Sequence, residues 1–272
     1  MDVQTARQLA ALTNEFYHTQ AASFSATRNA PWPGWKRLLQ EAGLQSAREL
    51  QVLDVGCGNG RFARFLEDAL PGCALAVHGV DASAELATLQ GPVSGGMPMG
   101  AAGQAHRQGA APVTGSFQQL DVVGALIEGA SLCDLLAAPA CDLSVSFGFL
   151  HHVPGGPQRV RLLQALADKT RPGGHVAVSL WTFMEDARLA AKAEATTRSA
   201  LERYPTLKLE HGDYLLGWQR AQGAYRYCHH FCAEETGALA HALDGTCTLL
   251  ARYRHDGRGA GLNEYLLWRK EG

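Results

Sequence analysis

One unit dictates what this chain can become, and it lies between residues 51 and 70. Gln51-Val-Leu-Asp-Val55 is a short apolar run with β-branched residues, the length and composition of a buried strand. Three glycines follow within five residues, Gly56, Gly58 and Gly60. Beyond them Phe62, Phe65, Leu66 and Leu70 recur at helical spacing until Pro71-Gly72 stops the pattern. Strand, glycine turn and helix make the opening unit of a nucleotide-binding α/β sheet. Glycine takes positive φ without strain there and lets the backbone approach a ligand closely.

Two phosphate-binding patterns do not match this turn. The dinucleotide fingerprint requires G-x-G-x-x-G, whereas the chain reads Gly56-Cys-Gly-Asn-Gly-Arg61. The phosphate loop requires Lys and then Ser or Thr after its last glycine, and here Arg61-Phe62 follow. Asp54, an acid inside the strand, sits badly beside a pyrophosphate and suits a cationic or zwitterionic ligand. The run VLDVGCGNG (52–60) resembles motif I of the class I S-adenosylmethionine-dependent methyltransferases. That resemblance implies an α/β, Rossmann-like fold: a seven-stranded, mostly parallel sheet, helices on both faces, and an antiparallel C-terminal strand. It also implies S-adenosylmethionine as cofactor and S-adenosylhomocysteine as product. The loop Gly56, Cys57, Gly58, Asn59 and Gly60 would wrap the methionine end, with Asp54 helping to hold the amino group.

Further strands fit the same scheme. Ala74 to Asp81 is a second buried run ending in an acid, about twenty residues past the loop, where such sheets set a carboxylate on ribose hydroxyls. Asp81, with Ala82 beside it, is therefore the ribose candidate. The alternative, a helix cap, is better met by Ser83. Residues 91–114, rich in Gly, Ala, Pro and Met, read as a long flexible surface insertion. Ser116 to Asp121 reads as a third strand with its exit loop, and the methyltransferase resemblance implies adenine contacts from Asp121 and Val122. Cys141 begins a fourth strand, continuing past Phe147, another cofactor candidate, to Pro154. Ligands of open α/β sheets bind beyond the carboxyl ends of strands, which sets His151 and His152 at the mouth of the site. A helix over 159–169 and a Pro172-Gly-Gly turn then lead into a fifth strand ending at Trp181.

Outside this frame, residues 1–20 read as a helix through Leu9, Leu12, Phe16 and Tyr17. Residues 21–35 are not a continuous helix, because Pro31 and Pro33 push their predecessors toward extended backbone. A second helix runs from Trp35 to Gly43. Residues 184–204 form a polar, Ala-rich helix, and 248–254 and 263–268 form a closing hairpin. We expect one domain over 1–272, with 1–45 as an N-terminal helical and aromatic substrate-side segment. Residues 184–235 form a cap between strands five and six.

Bulk properties exclude some classes. A net charge of −2 leaves no strongly basic nucleic-acid footprint. No apolar leader follows Met1-Asp-Val-Gln4, and the apolar tract 126–150 is interrupted by Glu128, Asp134 and Asp142, so neither secretion nor a membrane span is expected. Seven irregularly spaced cysteines fit a reducing, cytoplasmic setting. Cys228-His-His-Phe-Cys232 has metal-ligand residue types, but no second Cys-x-x-Cys knuckle accompanies it. No metal is expected, and these residues read as pocket lining.

The flanks carry a second resemblance. FYHTQAASFSATRNAPWPGW (16–35), FGFLHHV (147–153), LWT (180–182), GDYLLGW (212–218), YRYCHHF (225–231) and GLNEYLLWRK (261–270) are similar to the tRNA wobble-uridine carboxymethyluridine methyltransferases, including a methyltransferase domain fused to an AlkB-like hydroxylase. That resemblance implies methyl esterification of 5-carboxymethyluridine, whose carboxylate is ionised near neutral pH and attacks the methyl directly. It implies Arg28 as the carboxylate clamp, with His151 or His152, Trp181 and Arg226 completing the pocket and Trp32 and Trp218 as walls or stacking surfaces. It further implies a tRNA partner and a small zinc-binding activator protein at the sheet edge. For Arg28 an ion pair tying down the N-terminal segment is the competing reading. For the chain, a small-molecule acid as acceptor and a non-catalytic cofactor-binding protein both stay open.

Overall fold

A computed structural model describes residues 1–28, 30–88, 111–218, 221–257, 259 and 261–272. Nine helices and nine strands are assigned within them. The helices are α1 (Val3–Ala26), α2 (Pro33–Glu41), α3 (Arg61–Ala69), α4 (Ala84–Thr88), α5 (Val122–Ile127), α6 (Leu132–Leu135), α7 (Gly156–Asp168), α8 (Ala187–Arg203) and α9 (Ala233–Ala240). The strands are β1 (Glu49–Val55), β2 (Ala74–Asp81), β3 (Val113–Gln119), β4 (Cys141–Ser146), β5 (Thr170–Trp181), β6 (Asp213–Trp218), β7 (Ala221–His229), β8 (Cys247–His255) and β9 (Asn263–Lys270).

Seven strands form one sheet in the order β3-β2-β1-β4-β5-β9-β8. Neighbours from β3 to β5 are parallel; β9 runs antiparallel to β5 and to β8, so β9 alone is reversed. This is the Rossmann-like class I sheet expected from motif I. The central strands are apolar on both faces, as a sheet covered twice must be. All six residues of β4 are buried. One face packs against α5, α6, α7 and α9 around Leu126, Leu162, Leu166 and Trp268. The other packs against α2 and α3 around Trp35, Leu38, Phe62 and Leu66. Each fully buried Leu or Phe contributes roughly 1.5–3 kcal/mol of hydrophobic stabilisation.

The strand order turns back between β1 and β4, and that switch point opens the crevice where α/β sheets hold ligands. Over it stand α1 and a separate two-stranded sheet of β6 and β7, backed by α8. Leu9 of α1, Ala200 of α8, and Leu215 and Tyr227 of the hairpin share a small core. The Thr13 hydroxyl accepts the Tyr227 amide at 3.0 Å, so α1 is stitched to β7.

Three readings need correction. The first helix continues to Ala26 rather than ending near residue 20. A proline restricts only its immediate predecessor, so Pro31 and Pro33 leave Ala21 to Ala26 free to stay helical. Val113 and Thr114, assigned from sequence to an insertion, belong to β3 and pair with Leu75 and Ala76; residues 91–110 of that stretch lie outside the described residues. The cap holds a hairpin as well as a helix, because Asp213, Leu215 and Tyr227 bury one face of β6 and β7. Among the described residues no helix is long and apolar enough to cross a membrane.

Candidate active site

The glycine turn is built by positive φ at Gly56 (78°), Gly58 (53°) and Gly60 (67°). At Gly56 a side chain would also run into the Phe149 ring. The Gly56 amide donates to the Val80 carbonyl at 2.8 Å, which draws the turn onto the end of β2. Parallel register sets Asp54 opposite Gly79 and Val55 opposite Val80, so Asp54 and Asp81 reach the same crevice.

That crevice is a cavity of about 730 Å³. Arg28, Asp54, Gly56, Cys57, Gly58, Asn59, Asp81, Ala82, Asp121, Val122, Phe147, His151, His152, Trp181 and Arg226 all line it, as does Trp32. Gly60 does not line it. It occupies the left-handed position that starts α3, a role in the turn and not at the ligand. Trp218, expected as a wall, is not among the lining residues; its ring packs on Phe24, which is, at 5.1 Å.

The cavity has an acidic and a basic end. Asp54 is 3 % exposed, and burial, reinforced by Asp81, pushes its carboxyl up to about 7. No hydrogen bond to the Asp54 side chain is found among the described residues, so a bound ammonium group would relieve it. This supports a fit to the amino acid end of S-adenosylmethionine. Burial likewise raises Asp81, whose oxygens accept the Gly58 and Ser83 amides at 2.9 Å each. Each oxygen keeps a lone pair for ribose hydroxyls. Asp121 caps α5 through the Gly124 amide and accepts from Asn14 at 3.2 Å. Asn59 spends its amide nitrogen on Ser25 Oγ at 2.9 Å and the Arg28 carbonyl at 3.3 Å, tying the glycine turn to the end of α1. The Cys57 thiol packs toward Gly79, and burial raises it well above its usual range.

At the basic end stand two arginines. Arg226, from β7, is 4 % exposed, yet its Nε and Nη1 have no hydrogen-bond partner. Its guanidinium lies 4.8 Å from the Phe16 ring centroid. Arg28 lies 3.5 Å over Phe24 and 5.1 Å from Trp218. Burial pushes it down to about 10, so it stays charged at neutral pH. Among the described residues no carboxylate pairs with Arg28, and the N-terminal ion pair weighed from sequence is not seen.

The histidines divide in role. His152 Nδ1 lies 2.6 Å from the Tyr227 carbonyl, which can only accept, so that nitrogen carries the proton. Its Nε2 therefore accepts from the Tyr17 hydroxyl at 2.8 Å. Burial, aided by Arg226, pushes His152 down to about 3. His151, tilted against the rings of His152 and Trp181, keeps a buried Nδ1 without a partner and is also held neutral by burial. Ligand atoms of His151, His152 and Cys228 lie within 4.8 Å of one another. The nearby Arg226 and Arg28 that disfavour imidazolium equally disfavour a metal cation, and both His152 nitrogens are engaged.

Sequence reasoning missed Tyr17, Asn14 and Phe24 of α1, which line the cavity with Arg28. Positions 14, 17, 21 and 24 share one face of α1, a spacing that could have found them. Arg61, 4.7 Å from the Trp32 ring, was missed too.

A family model described as a methyltransferase domain matches residues 27–242. The mouse tRNA (carboxymethyluridine(34)-5-O)-methyltransferase ALKBH8 is 28 % identical over 178 residues, 64 % of this chain and 20 % of that protein. The chain thus spans about a fifth of the length of the curated relative it matches. Among solved structures, an S-adenosylmethionine-dependent methyltransferase from Methanosarcina mazei aligns with a TM-score of 0.57 at 16 % identity, covering 84 % of this chain and 96 % of that one. One from Clostridium acetobutylicum aligns at 0.51 and 11 % identity, covering 95 % and 99 %. At these identities the two structures bear on the fold alone.

Proposed function

Because the chain belongs to the methyltransferase domain family and is an S-adenosylmethionine-dependent methyltransferase, we propose that its acceptor is an ionised carboxylate, that of 5-carboxymethyluridine at the wobble position of a tRNA. The observation that carries this reading is Arg226, a buried guanidinium with two nitrogens unpartnered. A buried charge of this kind is costly unless something pairs with it. Arg28 lines the same cavity, and both guanidiniums lie near the Phe24 and Trp218 rings, so two cations share one aromatic wall. A planar carboxylate suits a guanidinium fork better than any neutral acceptor does. The similarity to a carboxymethyluridine methyltransferase supports that nucleoside as the source of the acid.

When bound, the cofactor supplies a methyl group on a positively charged sulfur. Asp54 and Asp81 would hold its amino group and ribose, and the glycine turn would take the methionine end. Arg226 and Arg28 would clamp the acceptor carboxylate and fix its direction toward that methyl, which is most of what such a transfer demands. A carboxylate is ionised at neutral pH and needs no general base. The neutral state of His151 and His152 agrees with that, since neither is asked to take a proton. His151 Nδ1 is a free partner for an acceptor hydroxyl or amide, and Phe24, Trp181 and Trp32 would exclude water. A small zinc-binding activator would pair with an edge of the sheet, of which β3 is one and β8 the other.

A free small-molecule acid is the second reading, favoured by the net charge of −2. The two separate by incubating the protein with methyl-labelled cofactor and RNA carrying 5-carboxymethyluridine, with the activator added in a parallel arm. Base-labile label in the RNA supports the tRNA reading. Label appearing only in free carboxylic acids, with RNA unlabelled in both arms, replaces it with the second.

A further inference from the structure

On the far side of Trp218 lies a second, shallower groove of about 240 Å³, between α8 and the β6–β7 hairpin. From this groove we infer that the protein holds the nucleotide adjoining the methyl acceptor, its base on Trp218 and the phosphates on either side of it on Lys192 within the groove and Arg203 at its rim. The inference rests on the polynucleotide acceptor proposed above.

Trp218 connects the two sites. Its ring is 5.1 Å from the Arg28 guanidinium carbon and 5.7 Å from that of Arg226, at the basic end of the main cavity. Its Nε1 donates to Ser23 Oγ at 3.0 Å, which locks the indole in place as a wall. The same side chain lines the groove together with Lys192, Thr196 and Ser199 of α8 and Tyr225 of β7. A ligand reaching out of the cavity past Trp218 therefore meets this groove next.

The chemistry of the lining is that of a nucleotide step. A strand of nucleic acid needs an aromatic face for a base, cations for phosphate, and hydroxyls for phosphate or sugar oxygens. Trp218 offers the first. Ser199 Oγ and the Tyr225 hydroxyl, 3.2 Å apart, offer the third. Positions 192, 196, 199 and 203 fall on one face of α8, by steps of three and four residues. Arg203 ends that row with its guanidinium against Gly223 of β7, where a side chain would collide with it. Among the described residues Arg159, Arg171, Arg252 and Arg254 all pair with carboxylates. Lys192 and Arg203, both exposed, have no such partner among those residues. The volume is below the roughly 300 Å³ at which pockets for drug-sized ligands begin, and suits one base with its sugar-phosphate, not a second whole ligand.

The test is the double charge reversal Lys192→Glu with Arg203→Glu, both at exposed positions, with Arg198→Glu on another face of α8 as control. Binding of a fluorescent anticodon stem-loop RNA carrying 5-carboxymethyluridine is followed by anisotropy across a salt series, beside methyl transfer to that RNA and to the free nucleoside. The double variant is expected to bind the RNA at least tenfold more weakly, with a salt slope shallower by about one, as loss of one or two phosphate contacts requires. KM for the free nucleoside and affinity for S-adenosylmethionine stay as in the wild type, and the control changes neither. RNA affinity and salt slope equal to wild type overturn the groove, as does an equal loss with the free nucleoside. If wild-type protein methylates the RNA and the double variant matches it, the groove fails while the acceptor reading stands. If the double variant alone loses RNA affinity but no methyl reaches the RNA, the groove stands and the acceptor reading fails.

Discussion

Replacing Arg226 with Met should stabilise the ligand-free protein while disabling it. Buried arginines usually sit in pairs, and removing one is then destabilising because a charge is left behind. Here Nε and Nη1 already lack partners. Each unsatisfied buried donor costs about 1–3 kcal/mol, so removing two at the low end returns about 2 kcal/mol. Against this stands the loss of attraction to the Phe16 ring at 4.8 Å, worth about 1 kcal/mol. Met keeps most of the aliphatic stem, so little cavity is created. The net is a gain of about 1 kcal/mol, or a rise in Tm of roughly 2–4 °C. Transfer to a carboxylate loses one or two charge-assisted bonds, about 2–4 kcal/mol of transition-state binding, or roughly 30- to 900-fold in kcat/KM. Thermal unfolding without ligand and single-turnover transfer are the two assays. A variant that melts several degrees lower with transfer intact would show that Arg226 is structural and refute the reasoning.

Three further outcomes follow from the geometry. Asp54 titrates near 7 in the ligand-free protein and is wanted ionised by a bound ammonium, so cofactor binding expels a proton below that pH. Calorimetry should show S-adenosylmethionine affinity falling toward tenfold per pH unit below 7, and Asp54→Asn should flatten the dependence at lower affinity. Gly56→Ala meets positive φ and the Phe149 ring together; we expect a loss of more than about 2 kcal/mol in stability by chemical denaturation and of cofactor binding by titration. His229 is gripped by Asp213 at 2.7 Å and Glu235 at 2.6 Å, and although burial opposes its charge these two carboxylates raise its pKa. Its folded value lies above the unfolded one, so this contribution is fully present below about 6.5 and declines as pH rises through the folded pKa. Unfolding free energy measured from pH 6 to 9 should fall more steeply in the wild type than in His229→Gln.

Some of this site is local and some is not. The glycine turn, Asp54 and Asp81 could be read from spacing, because a strand, a turn requiring positive φ and a helix are all decided within a few residues. The same locality explains the errors. Gly60 shares the motif but serves the turn, and only the direction of the backbone separates it from Gly56 and Gly58. Tyr17 falls within an apolar helical stripe, where spacing alone assigns it no role, yet its hydroxyl bonds to His152. The hairpin of β6 and β7 was hidden because its buried face is shared with α1, a distant segment whose packing no window along the chain contains.

The chain by itself gave a strand, a glycine turn and a helix with an acid at the end of the next strand, since periodicity and glycine chemistry act over neighbouring residues, and the resemblance of that turn to motif I implied the class I sheet. For the basic half the resemblance named Arg28 and Arg226, but only the tertiary structure shows their burial and their surroundings. Arg28 and Arg226 are far apart in the chain, and what makes Arg226 informative is a buried guanidinium whose Nε and Nη1 have no hydrogen-bond partner. Burial and the lack of a partner belong to the assembled fold, because they depend on everything that surrounds a group and not on what precedes it in sequence.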